Sequence, residues 1–216
     1  MLFLQAQIQL KMSKKTLAIL TVLIAIILDQ VIKIYVKTHF ALNEEVVVFE
    51  WFRIHFTENN GMAMGIEFGG KAGKLFLTLF RIVAVGAIIY WLKGTIKRVV
   101  NNAVVVAIAL ILAGAIGNII DSVFYGVIFD DSYHKVATLF AAEPYGTLFH
   151  GKVVDMFYFP IWQGVLPEWI PFKGGDHFTF FQYIFNPADA YITIGVVLLF
   201  IFNKQAFPKE EKSIKA

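Results

Sequence analysis

The chain contains no cysteine, which excludes disulfides, thiolate metal ligation and a cysteine nucleophile together. Serine is confined to Ser13, Ser122, Ser132 and Ser213. Only Ser122 falls in a long apolar run, and no histidine or lysine on a matching run stands ready to activate it, so a serine nucleophile is disfavoured. His39, His55, His134, His150 and His177 show no HExxH or other metal-ligand spacing. Charge is scarce as well: 16% of the 216 residues are charged and 58% are hydrophobic, with a mean hydropathy of +0.67. A soluble domain has about 25% charged residues, so this balance points to the bilayer. The net charge of +3 gives no reason to expect a nucleic-acid partner. What remains for chemistry is carboxylates, amides and backbone.

Long apolar runs are abundant. A helix needs about 20 residues to cross the hydrocarbon layer, and four segments approach or exceed this: residues 16–36, 73–92, 99–123 and 188–202, the last being short. Asp29, Gln30 and Lys33 in the first run, with no small-residue cleavage site after it, argue for a retained span over a removed signal peptide. Lys11, Lys14 and Lys15 precede the first run. Lys93, Lys97 and Arg98 join the second and third, and Lys204, Lys209, Lys212 and Lys215 follow the fourth. Positive residues concentrate on the cytoplasmic side, which places both termini there and turns the connections 37–72 and 124–187 outward. The expected fold is therefore an all-α membrane core of four transmembrane helices, with a small extracytoplasmic β element and a long outer loop, as a single domain.

The β element is expected in Glu45–Phe56, where β-branched and aromatic residues partly alternate, as one or two strands. The connection 124–187 is too long for a mere link. Its aromatics, including Phe157, Trp162, Trp169, Phe178 and Tyr183, suit residues at the headgroup level.

Ionisable groups inside spans are costly and therefore informative. In this orientation Asp29 lies in the outer half of the first span, Asp121 near the outer end of the third, and Asp189 at the outer start of the fourth. Asp155 reaches the same layer from the connecting loop. Gly114, Gly117, Asn118 and Asp121 share one helical face, where small residues permit close backbone approach and Asn118 can bond to a neighbour. Taken singly, these are equally consistent with ordinary packing and a polar clasp. Asn59 to Gly61 reads as a turn after a strand. Asn186 and Pro187 read as the start of a helix, where Asp189 also complements the dipole. Lys33 can pair with a carboxylate or extend toward headgroups.

The set Asp29-Gln-x-x-Lys33, Asn59-x-Gly-x-Ala63, Gly114-Ala-x-Gly-Asn-x-x-Asp121, Val153-Val-Asp155 and Phe185-Asn-x-Ala-Asp189 resembles the lipoprotein signal peptidases, or signal peptidase II, in order, spacing and placement on the spans. The resemblance implies an endopeptidase at the outer face of the bacterial inner membrane, using two aspartates and no metal or other cofactor. Its substrates would be prolipoproteins whose cysteine, just after the scissile bond, carries diacylglycerol, and it would be a target of the cyclic peptide globomycin. The aspartates correspond to Asp155 and Asp189. Asp29, Lys33, Asn59, Gly114, Asn118, Asp121, Asn186 and Ala188 would bind substrate or support the site.

Three features depart from that pattern. Ser122 stands where the family usually has arginine, Met64 and Met156 stand where phenylalanine is usual, and the stretches 124–150 and 156–183 are long. The main rival reading is a small proton-coupled transporter or channel, which predicts titratable groups along a path through the bilayer. Here the inner halves of the spans are nearly devoid of them, with Arg81 a partial exception.

Overall fold

The computed structural model describes residues 12–61 and 70–207. Lys11, Ala63, Met64, Lys209, Lys212 and Lys215, used in the sequence reading, lie outside the described residues. Helix α1 spans Lys14–Lys37 and is capped by Ser13, whose hydroxyl accepts from the Thr16 N–H at 3.0 Å. Helix α2 spans Gly70–Ile96, and α3 spans Asn102–Ile120 with Asn101 as its cap. A π-helical turn, Asp121–Tyr125, and a single α turn, α4 (Gly126–Ile128), extend α3 to a continuous 27-residue helix. At a rise of about 1.5 Å per residue, α1, α2 and the extended α3 each reach across a bilayer core of about 30 Å, and all three are apolar enough to do so.

Two boundaries differ from expectation. The connection expected to begin at residue 124 is helical to Ile128, because the apolar run continues until Asp130 and Asp131. The expected fourth span is α5, Pro187–Ile201, an apolar helix of 15 residues, followed after Phe202 by the short α6, Asn203–Ala206. Three helices, rather than four, thus have full spanning length among the described residues.

Helix α3 is the hub. It packs against α1, α2 and α5, and Val104, Val105, Ala107, Ile108 and Ala109 are wholly buried. Close approach is a consequence of glycine. A Cβ on Gly114 would collide with the Ala188 carbonyl oxygen, and one on Gly117 with the Asp29 carboxylate. By contrast, α2 buries only Thr78, Leu92 and Thr95, so most of its surface is apolar and outward-facing.

The segment expected to hold one or two strands holds two, β1 (Glu45–Phe49) and β2 (Phe52–Asn59), paired as an antiparallel hairpin. Sequence reading did not foresee that the long connection supplies four more strands. β3 (Val153–Tyr158) and β6 (Ile184–Phe185) extend the hairpin into an antiparallel sheet of order β1-β2-β3-β6, and β4 (Trp162–Val165) pairs with β5 (His177–Phe180) in a separate hairpin. Asp155 therefore sits on a strand, opposite Thr57, and not on a loop. Val153-Val-Asp-Met-Phe-Tyr158 is β-branched and aromatic, a composition that favours a pleated, half-buried surface. A second apolar core, including Val36, Phe56, Tyr125, Phe129, Val154 and Met156, fastens the sheet to the ends of α1 and α3.

Candidate active site

The site forms where the sheet meets the C-terminal parts of α1 and α3 and the first turn of α5. Asp189 enters it from the first turn of α5. The Asn186 side chain caps that turn by accepting from the Asp189 N–H at 3.0 Å, and Pro187 occupies a position where a missing N–H costs nothing. Capping and site placement are thus the same geometry, so the dipole-complementing role of Asp189 does not compete with a chemical one.

Asp155 is 5% exposed and lies between two amides. Asn186 Nδ2 donates to its Oδ1 at 2.6 Å, and Asn59 Nδ2 donates to its Oδ2. Asn118 completes the link: its Nδ2 donates to Asp189 Oδ1 at 2.9 Å, while its Oδ1 accepts from Asn186 Nδ2 at 3.1 Å. The two carboxylates are therefore joined through a pair of asparagines. Burial, and next the negative charge of Asp189, push the Asp155 carboxyl up to about 7. Hydrogen bonds from Asn186 and Asn59 and the charge of Lys33 oppose this.

A buried ion cluster lies beneath. Lys33 Nζ contacts Asp121 Oδ2 at 2.8 Å, Asp29 Oδ2 at 3.1 Å and Asn118 Oδ1 at 2.9 Å. Lys33 thus pairs with carboxylates and does not extend to headgroups. Each acidic partner also holds a segment that carries a site aspartate. Asp29 Oδ1 accepts from the Ala188 N–H at 3.0 Å, beside Asp189. Asp121 Oδ2 accepts from the Val154 N–H at 3.3 Å, beside Asp155. Buried charges need this kind of mutual satisfaction.

All ten residues proposed from the sequence, Asp29, Lys33, Asn59, Gly114, Asn118, Asp121, Asp155, Asn186, Ala188 and Asp189, converge here. Gly114 and Ala188 contribute by closeness, since their backbones touch. Three further participants are not among those ten. Gln30 donates to both Asp29 and Asp121 at 3.0 Å, and Tyr125 donates to Gln30 Oε1 at 3.1 Å. Arg81, noted only as an isolated charge, donates to the Gly61 carbonyl. A glutamine adjoining an aspartate inside an apolar run was the available signal for Gln30. Ser122 donates to the Asn118 carbonyl at 2.8 Å, within its own helix. Among the described residues, no three His, Asp or Glu side chains are grouped so as to hold a metal ion. The arrangement brings two carboxylates, joined through asparagine amides, to the sheet end of an apolar bundle.

The sequence profile described as "Signal peptidase (SPase) II" matches residues 21–204. The chain is 54% identical over 189 residues to the "Lipoprotein signal peptidase" of Porphyromonas gingivalis, covering 87% of this chain and 82% of that protein. It is 36% identical over 191 residues to the protein of that name from Amoebophilus asiaticus, covering 85% and 75%. Among solved structures it is similar to a bacterial membrane enzyme determined by the in meso method at 2.3 Å resolution. That likeness has a TM-score of 0.54 at 27% identity, over 92% of this chain and 94% of the other. None of these relatives supports a transporter or channel.

Proposed function

The chain belongs to the signal peptidase II family, and from that premise we propose an aspartic endopeptidase that removes signal peptides from diacylglyceryl-modified prolipoproteins. The observation that carries the aspartic assignment is the joining of Asp155 and Asp189 through Asn186 and Asn118. Burial of Asp155 and the negative charge of Asp189 oppose ionisation of both carboxylates together, so the pair keeps one proton. The ionised member takes a proton from a water, whose oxygen attacks the scissile carbonyl carbon. The protonated member donates to the carbonyl oxygen as it gains charge. Collapse of the tetrahedral species breaks the C–N bond: one diol hydroxyl returns its proton to the ionised member while the other member passes a proton to the departing amine, so the pair again holds one proton.

Asn59, Asn118 and Asn186 orient the carboxylates, while Asp29, Lys33, Asp121, Gly114 and Ala188 hold the segments that bear them. In our reading α5 completes a four-span bundle in the bacterial inner membrane, as part of one domain with both termini cytoplasmic and the sheet on the outer side. The site then lies where water can enter while the substrate's acyl chains stay among membrane lipids. Globomycin-type cyclic peptides would occupy the same site. The test is a gel-shift assay of a diacylglyceryl-modified prolipoprotein with purified protein. Cleavage that globomycin blocks supports the reading, and an intact substrate in both lanes removes it.

A further inference from the structure

Helix α2 presents most of its surface outward, yet one narrow stripe of it is polar. Lys74, Thr78 and Arg81 are spaced at four and three residues, so they share a face. Thr78 is 2% exposed, which turns that face into the bundle. A charged side chain within a span marks function more often than packing, and side chains on a helix tilt toward its N-terminus. From Arg81 that direction leads to the turn after β2.

Helix α2 grips this turn twice. Lys74 Nζ donates to Asn60 Oδ1 at 2.8 Å, and Arg81 Nη2 donates to the Gly61 carbonyl. Gly61 has φ +86, and a Cβ there would lie 2.6 Å from Arg81 Nη1. The Gly61 N–H in turn donates to Asn59 Oδ1, and Asn59 Nδ2 donates to Asp155 Oδ2. A continuous relay therefore runs from Arg81 through Gly61 and Asn59 to one of the two site carboxylates. The geometry points to Arg81 as a positioning residue: by holding the 59–61 turn it fixes the Asn59 amide against Asp155.

The inference rests on the aspartic reading above. It gives Asn59 an orientation that its own flexible side chain does not supply. The asparagine oxygen is occupied by Gly61, so its amide is aimed at the carboxylate only while the turn keeps its shape. The charged groups acting on Asp155 are Asp189 from α5 and Lys33 from α1, and those acting on Arg81 are Asp189 and Asp121.

The test is a kinetic cycle on the purified full chain with a diacylated prolipoprotein peptide, comparing the parent, R81Q, N59A and the double variant. R81Q is expected to lower kcat by about 10- to 100-fold, the scale of a slight misplacement of a reacting group, with KM little changed. The double variant should be no slower than N59A alone, because both changes cut one relay. Losing the amide's donation removes a bond that favours the ionised carboxylate, so R81Q and N59A should both move the limbs of the pH profile toward alkaline values. If R81Q does not accumulate as folded protein, R81M, which keeps the apolar stem but cannot donate to Gly61, provides the same cycle. Parent-like kcat and pH limbs in the Arg81 variant overturn the inference. So does a rise in KM alone, or losses that multiply in the double variant. A parent enzyme that tolerates Asp155→Asn sinks the aspartic reading instead, and this inference with it.

Discussion

Asp155 is buried and accepts from an asparagine on each side. Its carboxyl is raised to about 7, first by burial and then by Asp189. Two consequences follow for pH. The stability this group contributes is complete below the ordinary carboxylate range and is lost as pH rises through about 7, because the folded state binds its proton more tightly than the unfolded chain does. A kcat/KM profile should likewise fall on its alkaline side near neutrality, as the pair gives up its shared proton. An activity still climbing at pH 9 would contradict a carboxylate pair. At this scale the sequence was most legible where a residue type is expensive: carboxylates and a lysine in apolar runs announce themselves. Arg81 was equally visible, but its partner is a backbone carbonyl, which no residue pattern reveals.

Among elements, the contact of α3 with α1 and α5 depends on two missing methyl groups. Gly114→Ala would drive a Cβ into the Ala188 carbonyl oxygen. Overpacking of a tight core costs typically about 1–3 kcal/mol, here at the N-terminal turn that carries Asp189. A lower thermal unfolding midpoint in detergent, together with lost cleavage, is expected; unchanged unfolding would show that the helices can part freely. The β4–β5 hairpin offers a different check. Trp162 and Trp169 are exposed, and aromatics of this kind settle at the headgroup level. With Trp51 and Trp91 replaced by phenylalanine, fluorescence in vesicles should be quenched by nitroxides near the headgroups more than by aqueous iodide; the opposite order places the hairpin in water. Helices α1 to α3 could be read from apolar length, and β1 and β2 from alternation. Strands β3 to β6 could not, because β3 gains most of its partners from β2, about a hundred residues earlier, and β6 has only two residues.

Across the whole molecule, the ion cluster of Asp29, Lys33 and Asp121 ties the bundle to both segments that bear the site aspartates. Removing one member of a buried charge network leaves the rest uncompensated and typically costs about 3–5 kcal/mol. Lys33→Met should therefore lower the unfolding midpoint sharply and disturb both aspartates at once, as unfolding and cleavage measured on one preparation would show. The sequence placed these groups at a common depth, but it could not show that Asp121 grips Val154 and Asp29 grips Ala188, since both contacts use backbone N–H groups. The central claim is that Asp155 and Asp189 together perform the cleavage. Its most direct test is turnover of a diacylglyceryl-modified prolipoprotein by Asp155→Asn and by Asp189→Asn, each shown to unfold near the parent's temperature. The account predicts no measurable product from either variant beside rapid conversion by the parent. Substantial turnover by a folded variant would contradict it.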